Sequence, residues 1–88
     1  MKITVSELKA KIIEEIAVST ETDLEITEET ALYEDMGLAS MEAYVLLCDL
    51  EETFRVRIQA SSLRHVRTVG DLCELVVDAV RQQGRKGR

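Results

Sequence analysis

Apolar residues recur at steps of three and four in three separate stretches of this chain. Val5, Leu8, Ile12 and Ile16 form the first, with Glu7, Lys11, Glu14 and Glu15 largely on the other side. Such spacing returns to one face of a helix, so the stretch predicts an amphipathic helix. Thr4 with Glu7 three residues on reads as a capping box. The first helix is therefore expected over about residues 4–18.

The second stretch runs from Ser40 to Phe54, where Met41, Tyr44, Val45, Leu47, Cys48, Leu50 and Phe54 give a wide apolar surface. Glu42, Asp49 and Glu52 fall on one polar stripe, with Glu51 close by. In the third, Val69, Leu72, Cys73, Val76 and Val80 form the buried stripe of the last helix. Thr68 caps it, with Asp71 as a weaker box partner than Glu. Residues 59–66 read as a short helix with Leu63 and Val66 inward, after an extended connector Arg55-Val56-Arg57-Ile58.

Residues 19–39 carry no helical or strand pattern. A structureless connection of that length is unusual in a compact domain. Leu24, Ile26, Leu32, Met36 and Leu38 within it predict a loop that lies over the bundle and closes part of the core. No proline interrupts the chain, and Phe54, Tyr33 and Tyr44 are its only aromatics, so the core must be aliphatic. The expectation is an all-α fold: a small four-helix bundle of three main helices and one short helix, with a long loop between the first two. The domain is expected to span residues 1–82, followed by a disordered basic tail at 83–88.

Charge divides unevenly. Residues 1–54 hold fourteen acids and three bases, whereas residues 55–88 hold three acids and eight bases. The acidic part disfavours nucleic acid and suits basic protein partners. No apolar run approaches the ~20 residues of a membrane span, and the N-terminus lacks a signal-peptide pattern. Cys48 and Cys73 show no CxxC or Cys/His clustering, which suits reduced cysteines in a cytoplasmic protein and provides no metal site.

Catalytic constellations are missing from the sequence. A nucleophilic serine needs a base and an orienting group, and nothing pairs Ser40 with the single histidine, His65. No Gly-rich phosphate loop, HExxH or EF-hand spacing occurs. The chain reads as a non-enzyme. Ser40 stands out for another reason. It opens an apolar helix after an acidic loop, where backbone N–H groups and the helix dipole favour a phosphate-linked group. A serine so placed is otherwise a helix cap.

The stretch from Ile26 to Glu42, containing Asp35-Met36-Gly37-Leu38-Ala39-Ser40-Met41, resembles the region around the attachment serine of acyl carrier proteins. The likeness continues through Leu50-Glu51-Glu52-Thr53-Phe54-Arg55-Val56-Arg57-Ile58 and ends in Arg67-Thr68-Val69-Gly70-Asp71-Leu72. It covers roughly residues 3–82 without a gap from Ile26 to Asp71. The resemblance implies a covalent 4′-phosphopantetheine on Ser40, transferred from coenzyme A by a phosphopantetheinyl transferase. The terminal thiol of that arm would hold acyl groups as thioesters for a fatty-acid, polyketide or lipid pathway. Acyl-loading and acyl-processing enzymes with basic docking patches would read Glu42, Asp49, Glu51 and Glu52. Met41 and Val66 would contact the arm. The implied protein is a cytoplasmic monomer, with no membrane or nucleic-acid partner.

Two departures from the family pattern stand in the sequence. Ala39-Ser40-Met41 replaces the usual Asp-Ser-Leu, so the helix start loses an acceptor and Ser40 itself is left as the potential cap. Val45 stands where the family usually has an acid, and Arg55, Arg57, Arg64 and Arg67 surround the short helix with positive charge. The first predicts less efficient loading by a generic transferase, and the second predicts a narrowed partner set and a dedicated pathway. An aminoacyl carrier (peptidyl or D-alanyl) and an unmodified interaction module acting through its acidic second helix are the other readings that the sequence leaves open.

Overall fold

A computed structural model describes residues 4–86. Its elements are α1 (Val5–Thr20), α2 (Ser40–Phe54), the 3-10 helix η1 (Ala60–His65) and α3 (Val69–Lys86). The expected all-α bundle with one short helix is therefore the observed fold. Among the described residues the only β-type pairing is an isolated bridge between Ala31 and Thr68.

The reciprocal box at α1 is present: Thr4 N–H donates to Glu7 Oε1 and Glu7 N–H to Thr4 Oγ1, each at 3.1 Å. α1 runs two residues past its expected end, and Thr20 Oγ1 donates to the Ile16 carbonyl at 2.8 Å in the last turn. Leu8, Ile12 and Ile16 are buried, while Val5 is 43 % exposed and lies off the core face. At α3, Asp71 N–H donates to Thr68 Oγ1 at 3.1 Å, and Asp71 Oδ2 accepts from Arg67 and Thr68 N–H. Those backbone donors hold the Asp71 carboxyl below its usual range. α3 continues through Lys86, beyond the boundary expected at residue 82, and residues 87 and 88 of the expected tail lie outside the described part.

The face that α2 buries differs from the expectation. Ala43, Leu46, Leu47 and Leu50 point inward. Met41, Tyr44 and Val45 are instead exposed, at 73, 46 and 52 %. With 3.6 residues per turn, 43-46-47-50 and 41-44-45-48 are stripes of identical spacing on opposite sides of the helix. Only the first meets α1 and α3.

The long loop behaves as core. Leu32 is fully buried, and Ile26, Met36 and Leu38 pack against the same cluster. Leu24 does not join them and is 48 % exposed. The loop is pinned to the start of α3 by Leu32 N–H to the Arg67 carbonyl (2.9 Å), Val69 N–H to Thr30 (2.8 Å) and Gly70 N–H to Glu28 (2.8 Å). A Cβ on Gly70 would stand 2.9 Å from the Glu28 carbonyl oxygen, so the close approach requires glycine.

Cys73 lies in the cluster with no exposure, and burial pushes its thiol up to about 11. Its folded pKa lies above the 9.0 of a free thiol, so the neutral form stabilises the fold fully below pH 9. That contribution is lost as pH rises through 11. At pH 8 a maleimide should label Cys48 in the folded protein and Cys73 only after denaturation. Stability to urea should fall between pH 9 and 11; labelling of Cys73 at the rate of Cys48 would contradict its burial.

Candidate phosphopantetheine attachment site

The loop delivers Ser40 to the surface in a defined way. Ala31 N–H donates to Asp35 Oδ2 at 2.8 Å, and the Ala31 carbonyl accepts from Asp35 and Met36 N–H. Gly37 then turns the chain at φ +72°, a left-handed conformation that suits glycine. Leu38 N–H closes back onto the Leu32 carbonyl at 3.1 Å, and the Leu38 side chain packs against the core. Beyond that anchor Ala39 and Ser40 emerge exposed.

Ala39, extended at φ −85° and ψ 164°, occupies the N-cap, and Ser40 is the first helical residue. Ser40 therefore does not cap α2. Its hydroxyl has no partner among the described residues. Ala39 N–H donates to Glu42 Oε1 at 2.8 Å, and the Ala39 carbonyl accepts from Ala43 N–H at 3.0 Å. The opposite half of the box is empty, because a methyl group accepts nothing. α1 and α3 each begin under a threonine hydroxyl, whereas α2 begins with no side-chain acceptor. The N–H groups of Ser40, Met41 and Glu42 consequently face outward at the positive end of the helix.

A phosphodiester on Ser40 Oγ fits this arrangement. The bare N–H groups would accept its negative charge, and an acidic cap residue would have competed for them. The lost cap costs α2 about 1 kcal/mol, and a phosphate held there would offset part of it.

The other expected site residues divide. Glu42 is exposed beside Ser40, and Glu52 is exposed farther along α2. Asp49 is half-buried. Glu51 Oε2 accepts from Ile58 N–H at 2.6 Å, tying the connector to α2. Met41 and Val66 line different clefts: Met41 one with Leu38 and Val45, the 3 % exposed Val66 another with Ser62 and His65. His65 lines that second cleft with Asp71, Glu74 and Asp78, and Ser40 is not among the residues that line it. The exposed stripe Met41-Tyr44-Val45 is a site feature that the sequence reading merged with the buried Leu47 and Leu50 into one wide apolar surface. Its signal was the second complete stripe, 43-46-47-50, which is enough by itself to face the core.

A family model described as "Phosphopantetheine attachment site" matches residues 6–76. The chain is similar to the acyl carrier protein of Saccharopolyspora erythraea, 39 % identical over 56 residues that cover 64 % of this chain and 59 % of that protein. It is 34 % identical over 65 residues to the acyl carrier protein of Onion yellows phytoplasma, covering 74 % and 82 %. The acyl carrier protein of Thermotoga maritima is 31 % identical over 71 residues, covering 81 % and 84 %. Members of this family bear a covalent phosphopantetheine and work with phosphopantetheinyl transferases and acyl-processing enzymes. The helical bundle and these matches agree, and the chain belongs to the acyl carrier proteins, carriers rather than enzymes.

Proposed function

We propose that Ser40 is the tether and that the protein carries acyl intermediates for a dedicated fatty-acid, polyketide or lipid pathway. The observation that carries this reading is the exposed Ser40 hydroxyl, first in α2 and free of the capping role, beside three open N–H groups. In the loading step Ser40 Oγ forms a bond to the pantetheine-side phosphorus of coenzyme A. The pyrophosphate P–O bond breaks, adenosine 3′,5′-bisphosphate leaves, and the hydroxyl proton passes to a base on the transferase. This chain needs no base of its own for that step. The bound group supplies a terminal thiol that holds acyl groups as thioesters.

Partner choice follows from the surface. Glu42 and Glu52 present carboxylates on α2 that suit basic docking patches. Arg55, Arg57, Arg64 and Arg67 are exposed, and no acid lies between residues 55 and 70. None of the four makes an ion pair among the described residues. A basic patch docking across both regions would meet repulsion, so the fitting partner has a basic and an acidic area in matching order. Cytoplasmic placement is part of the same reading, supported by the free thiols of Cys48 and Cys73.

The test is loading followed by turnover. With coenzyme A and a broad-specificity transferase, the intact protein should gain the mass of one phosphopantetheine. Malonyl-loaded protein should then be extended by housekeeping fatty-acid synthase enzymes more than tenfold slower than their own carrier. No gain overturns the carrier reading; equal turnover overturns the dedicated pathway.

A further inference from the structure

Arg57 stands on a ridge between two clefts, beyond the end of α2 opposite Ser40. One cleft is bordered by Asp49, Glu51 and Glu52. The other, of about 240 Å³, is lined by Arg57, Ala79, Gln82 and Gln83, with no acid among them. The connector after α2 holds Arg57 in place. Glu51 accepts twice: its carbonyl from Val56 N–H at 3.1 Å, and its Oε2 from Ile58 N–H at 2.6 Å. Val56 is buried and Ile58 partly so, which turns Arg57 outward between two anchored residues. The guanidinium makes no ion pair among the described residues, although three carboxylates border the neighbouring cleft. The sequence around it is cationic. Residues 55–70 and residues 79–88 each hold four Lys or Arg and no acid.

We infer that the surface around Arg57, Gln82 and Gln83 seats a short acidic segment of a partner protein, which holds the carrier while Ser40 stays open. Seating itself does not depend on Ser40; its use to hold a carrier rests on the carrier reading. The donors decide the class of ligand. A guanidinium and two side-chain amides offer N–H groups, and arginine grips a carboxylate or a phosphate with two parallel bonds. The surroundings then separate the two. Asp49, Glu51 and Glu52 lie on the other side of the ridge, and residues 1–54 hold fourteen acids against three bases. A nucleic-acid strand or an anionic bilayer extends beyond its contact and meets that repulsion. A segment with a few carboxylates avoids it. The cleft is smaller than the ~300–1,000 Å³ of sites that enclose a small molecule, so it takes side chains.

Position gives the seat its use. The 15 residues of α2 separate Ser40 from Phe54. That is about 21 Å at ~1.5 Å per residue. It exceeds the ~8 Å over which charges act through physiological salt. An acidic segment on Arg57 therefore neither covers Ser40 nor repels an enzyme that approaches it.

The test titrates the full chain with a blocked hexaglutamate peptide at low salt. Amide NMR shifts should appear at Arg57, Ile58, Gln82 and Gln83, and not at Ser40 and Met41. Arg57→Glu should weaken binding about tenfold, the order of a lost charged hydrogen bond. Arg64→Glu makes the same change of charge in η1 and should weaken it less than about threefold, as for a remote surface charge. Glu51→Ala, with its fold checked by circular dichroism, should also weaken binding because it frees the connector. Simple charge attraction predicts the opposite sign for that variant. Equal losses in Arg57→Glu and Arg64→Glu, or tighter binding by Glu51→Ala, overturn the seat. Tighter binding of hexathymidylate or of phosphatidylglycerol vesicles than of hexaglutamate overturns the choice of a protein segment. Saturating peptide should leave the rate of phosphopantetheine loading within about twofold, given the separation from Ser40; a larger drop overturns the independence of the two ends. A chain that never loads overturns the carrier reading, and the titration still decides the Arg57 seat.

Discussion

Replacing Leu32 by alanine should destabilise the protein by about 2–5 kcal/mol, the range for emptying a leucine site in a core. Leu32 belongs to no helix, yet it is fully buried among residues of α1, α2 and α3. Its N–H donates to the Arg67 carbonyl ahead of α3 and its carbonyl accepts from Leu38 N–H, so its backbone ties the loop to the start of α3 and closes the loop on itself before α2. Domains of this kind hold only about 5–15 kcal/mol in total. The loss should lower Tm by at least 8 °C, at the ~4–8 °C per kcal/mol of a small domain. Leu24→Ala is the control, because Leu24 is 48 % exposed in the same loop. It should change stability by less than about 0.5 kcal/mol. Equal effects of the two substitutions in thermal melts would mean that the loop is not part of the core.

The loop shows how unevenly the fold can be read from residues. Its length argued against order, and its apolar residues argued for burial; the second consideration prevailed at Leu32, Met36 and Leu38 but not at Leu24. What separates them is backbone pairing. Leu32 is bonded to Arg67, a contact across 35 residues that no local pattern reports. The limits of α2 were legible because Gly37 ends one pattern and Ser40 begins another. Its inward face was not, because periodicity specifies a spacing and not a direction. Two stripes with the same spacing were available, and burial chose Ala43-Leu46-Leu47-Leu50.

For the site, the sequence exposed the position and the missing acceptor. It left open whether Ser40 would take the cap itself. The backbone decides that point. Ala39 holds the extended N-cap geometry, so Ser40 falls one residue inside the helix. From there its side chain is not placed to accept from the first-turn N–H groups in the manner of a cap. Val66, matched to an arm contact by resemblance, sits in the core because η1 ends at His65 and turns it inward.

Ser40→Ala should abolish phosphopantetheine loading altogether. The substitution removes the oxygen that must bond to phosphorus, and alanine is a good first-turn residue. Ser40 makes no hydrogen bond among the described residues and is exposed, so stability should stay within about 0.5 kcal/mol of the parent. Loss of loading therefore reports the lost nucleophile and not a lost fold. Other hydroxyls are poor substitutes. Ser6 also lies in a first helical turn, but Thr4 and Glu7 already occupy the capping bonds at that end. Ser61 and Ser62 belong to a single short 3-10 helix.

The most direct measurement is peptide-level mass spectrometry after incubation with coenzyme A and a broad-specificity transferase, on the parent and on Ser40→Ala with matched circular dichroism. The account predicts one phosphopantetheine on the peptide that contains Ser40 in the parent, and none anywhere in the variant. A folded Ser40→Ala protein that still gains the group, or a parent that carries it on another residue, would contradict it.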